Sequence, residues 1–102
     1  MRTPVAEKSL LLFFTSKRCG PARRMESVLA HVARKERTRL RVIRVDVEEQ
    51  AGLAEKFQID EVPTLVLIRD GRAVGRIEGR ASAPRIERLL RSGLESIQAP
   101  AP

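Results

Sequence analysis

The sequence predicts an α/β domain built on a four-stranded mixed sheet, in the order βαβα then ββα, with helices on both faces. Three observations predict it. An apolar run, Leu10-Leu11-Leu12-Phe13-Phe14, is followed by a stretch with helical periodicity and then by a second strand-like segment. The last two strand-like segments are separated only by Asp70-Gly71. A helical crossover joins strands in parallel and a two-residue turn joins them antiparallel, so the sheet is mixed.

Residues 9–15 form an apolar run bounded by polar residues, the pattern of a strand covered on both faces. Gly20-Pro21 opens a helix, because the fixed φ and missing N–H of proline suit a first turn. Met25, Val28, Leu29, Val32 and Ala33 recur at helical spacing and give it one apolar stripe. Residues 40–47 read as the second strand, with Leu40, Val42, Val45 and Val47 set against Arg41, Arg44 and Asp46. A short helix over 50–57 turns Leu53, Ala54 and Phe57 inward. Residues 64–68, rich in β-branched and aliphatic side chains, make the third strand, and 73–77 the fourth. Ser82 caps a last helix with Pro84 in its first turn, and Ile86, Leu89, Leu90, Leu94 and Ile97 form its buried stripe.

A chain of 102 residues suits one core, so residues 1–97 are expected as a single domain. Residues 98–102, Gln-Ala-Pro-Ala-Pro, are expected as a loose tail. The 42% hydrophobic content is that of a globular chain rather than a disordered one. A net charge of +7 favours acidic partners and raises nucleic acid as a ligand. Against nucleic acid, there is no Trp, no Tyr and only three Phe on which bases could stack, and the basic residues are scattered. The run at 10–14 is too short for a secretion signal or a membrane span, so a cytoplasmic monomer away from membranes is expected.

The single cysteine, Cys19, excludes an intramolecular disulfide and a multi-cysteine metal site, and no cofactor is expected. His31, the one histidine, falls off the apolar stripe and reads as an exposed helix residue rather than a general base. Asp46, Glu48 and Glu49 read as a polar strand end and helix cap rather than a metal site. Cys19 stands at a strand-to-helix turn, beside Lys17, Arg18, Arg23 and Arg24. A helix N-terminus and neighbouring cations both favour the thiolate, which is the nucleophilic form of the side chain.

Four motifs, in order along the chain, resemble the thioredoxin family from about residue 10 to residue 90. Cys19-Gly20-Pro21 follows a buried strand and opens a helix. Val62-Pro63-Thr64 precedes the third strand and resembles the family's cis-proline turn. Asp70-Gly71 makes the hairpin, and Gly79 follows the fourth strand. The resemblance implies a minimal thioredoxin fold. The family's extra N-terminal strand and helix are expected to be absent or reduced to the residues near Pro4 to Lys8. It implies a protein disulfide substrate held against Val62, Pro63, Thr64 and Gly79, with Cys19 as the catalytic nucleophile inside the motif Arg18, Gly20, Pro21 and Ala22.

The departures from the family pattern are as telling. Arg18 replaces a tryptophan, and Ala22 replaces the resolving cysteine. Phe13 lies near the position of a buried aspartate that assists proton transfer, and Arg44 near an accompanying lysine. With Ala22 in place, a mixed disulfide at Cys19 needs an external thiol such as glutathione. Three explanations stay open: a natural one-cysteine oxidoreductase, a dithiol protein engineered with Ala22 to trap partners, and a redox-inactive peptide-binding module. A glutathione-dependent enzyme of glutaredoxin type is a further alternative.

Overall fold

The computed structural model describes residues 9–95, without the side chains of Pro21, Ala22 and Glu95. Ile97, the tail at 98–102 and the segment at 4–8 lie outside the described residues. The elements run β1 (Ser9–Thr15), α1 (Gly20–Lys35), β2 (Leu40–Asp46), α2 (Ala51–Lys56), β3 (Thr64–Arg69), β4 (Arg72–Glu78) and α3 (Ala83–Glu95). The strand order is β2-β1-β3-β4, with β1 and β2 parallel and the other two pairings antiparallel.

Strand β1 supplies both cores, because successive side chains point to opposite faces. Leu11 and Phe13 join Met25, Leu29 and Val32 of α1 and Ile86, Leu90 and Leu94 of α3 on one face. Leu12 and Phe14 join Val45, Val66 and Ala54 of α2 on the other. Helices on both faces explain why the run at 10–14 shows no polar alternation.

The same layering corrects the reading of β2. Leu40 and Val42 pack on the α1–α3 side, whereas Ile43, Val45 and Val47 pack on the α2 side. The strand does not carry one apolar and one polar face; it is apolar towards both helix layers, and Arg44 extends from the α1 side. The strand ends at Asp46, one residue short of the expected 47, although the Val47 amide still donates to the Thr15 carbonyl at 2.9 Å.

Helix α2 is a six-residue segment between Gln50 and Phe57, shorter at each end than the expected 50–57. Asp46 prepares its approach: its Oδ1 accepts from the Glu48 and Glu49 amides at 2.8 and 3.1 Å. Phe57 packs on Phe14 at a ring separation of 5.9 Å. Beyond it the chain turns at Gln58, whose φ is +53°. Arg76 of β4 reaches across the sheet edge and donates to the Phe57 and Gln58 carbonyls, both at 2.7 Å.

The hairpin between β3 and β4 turns on Asp70 and Gly71, with φ of +55° and +78°. Positive φ at both centres matches the right-handed twist of the strands, which is why Asp-Gly serves here. The periodicity gave no sign of a bulge, yet one is present. Leu67 pairs Gly75 and Ile68 pairs Ala73, so Val74 is the extra residue and stands 45% exposed. Helix α3 lies close over this region, and a Cβ on Gly93 would collide with Leu67.

Candidate functional site

The topology gathers the predicted site at one end of the sheet. Thr15 ends β1 beside Asp46, and Phe14 pairs with Thr64, the first residue of β3. Thr64 in turn pairs with Glu78, the last residue of β4. Cys19, Pro63 and Gly79 therefore all leave the sheet at the same end.

Cys19 is the N-cap residue of α1, with extended backbone (φ −87°, ψ 98°) and no capping bond from its side chain. Its amide donates to the Ser16 carbonyl at 3.1 Å, closing the turn after β1. The thiol is half-buried and packs against the α1–α3 core. Gly20 is exposed, and Pro21 and Ala22 occupy the first turn of α1.

The Val62–Pro63 peptide bond is cis. Pro63 is buried, Val62 is half-buried, and the Pro63 carbonyl accepts from the Gly79 amide at 2.8 Å. Gly79 has φ of +86°, a conformation that side chains rarely adopt. Thr64 corrects the expectation that it lines a substrate groove. It has 0% exposure and its hydroxyl donates to the Glu61 carbonyl at 2.7 Å, so it braces the turn from inside.

A cavity of about 250 Å³ opens beside the thiol, lined by Thr15, Ser16, Lys17, Cys19, Arg23, Glu26 and Arg44. Of the cations expected around Cys19, Lys17 and Arg23 share this cavity, Arg18 is exposed outside it, and Arg24 turns to a different cavity. Glu26, which the sequence reading does not single out, stands here with Arg44. The two form an ion pair at 3.2 Å inside the cavity that holds the thiol. The signal was available: Glu26 lies seven residues after Cys19, two helical turns along the same face. Arg44 is also the register partner of Phe13. Lys17 pairs with Glu49 at 3.5 Å in an exposed contact. His31 is exposed on α1, away from this cavity.

Comparison with known proteins decides the family, since a Thioredoxin family model matches residues 2–92. The chain belongs to the thioredoxin family. A chloroplastic thioredoxin Y of Oryza sativa subsp. japonica is 30% identical over 90 residues, covering 88% of this chain and 54% of that protein. A thioredoxin-like protein of Synechocystis is 32% identical over 83 residues, covering 81% and 79%. Among solved structures, the germline-specific thioredoxin Deadhead of Drosophila melanogaster superposes with a TM-score of 0.78 at 28% identity, covering 83% of this chain and 80% of that one. The chain thus spans about half the length of the rice thioredoxin and most of the other two. Among the described residues no helix is long and apolar enough to cross a membrane.

Proposed function

We propose that this thioredoxin-family chain is a thiol–disulfide exchange protein with Cys19 as its nucleophile. The observation that carries the reading is the seat of Cys19: a partly accessible thiol at the N-cap of α1, opening into a cavity with Lys17, Arg23 and Arg44. An electropositive, partly exposed setting is the one in which cysteines react.

In the first step the Cys19 thiolate attacks one sulfur of a protein disulfide. The substrate S–S bond breaks, a Cys19–substrate disulfide forms, and the second substrate sulfur leaves as a thiolate that takes a proton from water. Ala22 offers no internal nucleophile for the next step. An external thiolate, such as that of glutathione, attacks the Cys19 sulfur and frees the substrate thiol. A second external thiolate then removes the first as a small disulfide and restores Cys19. Val62, Pro63 and Gly79 form the backbone rim against which an extended substrate lies. One cysteine and external resolution both support a reducing, cytoplasmic setting. Residues 1–97 act as one domain in this reading.

Intact-mass measurement after exposure to glutathione disulfide tests it. The native chain is expected to gain one glutathionyl adduct, and Cys19→Ser none. A native chain that stays inert while the urea-unfolded chain reacts would leave the fold as a binding module. The substitution Ala22→Cys is expected to bond to Cys19, read as loss of both free thiols on oxidation. Two thiols that persist under oxidant would overturn the assignment of position 22 as the resolving site.

A further inference from the structure

On the side of the site away from Glu26, a second, open cavity of about 340 Å³ lies between the first turns of α1 and the segment after β4. It is lined by Arg24, Met25, Val28, Arg80, Ala81 and Ser82. Its floor is apolar: Met25 belongs to the α1–α3 core, and Val28 and Ala81 pack against it. Its rim is cationic. Arg24 and Arg80 are exposed, and neither guanidinium has an ion-pair or hydrogen-bond partner among the described residues. No carboxylate is among the residues that line this cavity. Of the carboxylates nearest to it, Glu61 stands beside Gly79 and Glu78 is held by Arg76 at 3.0 Å. Arg80 directly follows Gly79, whose amide is bonded to the Pro63 carbonyl, so the cavity continues the rim of the thiol site.

We propose that this cavity is a docking subsite that selects protein disulfides flanked by an acidic–apolar segment. The apolar side chain enters between Met25, Val28 and Ala81, and the neighbouring Asp or Glu meets Arg24 and Arg80. A guanidinium presents a planar fork of donors that matches a carboxylate, and two unpartnered forks at one apolar mouth favour a carboxylate-bearing ligand. The overall charge of +7 steers the same ligands from a distance. This inference rests on the reading of Cys19 as the exchange nucleophile and names the substrate class for it.

The test uses three cysteine peptides, each activated as the mixed disulfide with mercaptoethanol and carrying a leucine beside Asp-Glu, Gly-Gly or Lys-Lys. The rate of mixed-disulfide formation with Cys19 is measured for each and divided by the same protein's rate with hydroxyethyl disulfide, which is neutral. The acidic peptide is expected to outrun the basic one by about tenfold at low ionic strength. The preference should shrink in salt and fall to about twofold in the double variant Arg24→Gln/Arg80→Gln. A second double variant, Arg34→Gln/Arg37→Gln, removes the same charge at the far end of α1 and should keep the preference. Replacing leucine by glycine in the acidic peptide should slow it severalfold. Equal rates for the three peptides, or a preference that survives Arg24→Gln/Arg80→Gln, would overturn the docking subsite while leaving Cys19 chemistry in place. No reaction with hydroxyethyl disulfide would instead overturn the exchange reading itself.

Discussion

At the scale of single residues, the carboxylate of Glu26 is the group whose influence on the thiol can be isolated most simply. It lines the Cys19 cavity, only partly exposed, and holds Arg44 at 3.2 Å. Glu26→Gln removes one negative charge from a cavity that already holds Lys17, Arg23 and Arg44. The local potential becomes more positive, and anionic reagents concentrate there. Alkylation of Cys19 by iodoacetate is expected to rise about two- to threefold relative to alkylation by neutral iodoacetamide, the range of one partly screened charge. An unchanged ratio would mean that the carboxylate has no influence at the sulfur. Using the ratio of two reagents cancels any general change in thiol accessibility.

Elements respond to the same substitution in opposite directions, depending on what packs over them. Gly52 lies in α2 and Gly93 in α3, so helix propensity alone predicts that alanine stabilises both, by about 1 kcal/mol. Nothing stands within 4 Å of a Cβ placed on Gly52, and Gly52→Ala is expected to stabilise by about 0.5–1 kcal/mol. At Gly93 the added methyl meets the side chain of Leu67, which is fully buried in β3, and lies 3.4 Å from Val74. Overpacking then outweighs propensity, and Gly93→Ala is expected to cost about 1–3 kcal/mol. Urea unfolding of the two variants checks both signs. Two shifts in the same direction would mean that α3 can ride away from the sheet.

For the whole molecule, Phe13 is the side chain that ties the site to the core. It is 2% exposed, shares a cluster with both α1 and α3, and stands in register with Arg44. Phe13→Ala is expected to cost about 3–5 kcal/mol, a large part of the ~5–15 kcal/mol that holds a domain of this size. A thermal midpoint unchanged by Phe13→Ala would contradict this picture of the core. The backbone plan was legible in the sequence, because each β1, α1 and hairpin signal is local: an apolar run, a 3.6-residue stripe and an Asp-Gly pair. What stayed hidden depends on contacts between distant segments. The faces of β2 depend on which helices cover them, the Val74 bulge on how β4 meets α3, and the Glu26–Arg44 pair on the register of β1 with β2. Thr64 shows the same limit at the site, since only the fold reveals that its hydroxyl is spent inside the turn. Arg76, finally, links parts of the chain that periodicity treats as separate. A six-residue helix does not persist in water by itself. With the carbonyls of the two residues that follow it, Phe57 and Gln58, held by β4, α2 belongs to the same cooperative unit as the hairpin. Native-state hydrogen exchange in α2 and β4 should therefore rise together as denaturant is added, so that the least autonomous helix reports on the opening of the sheet edge.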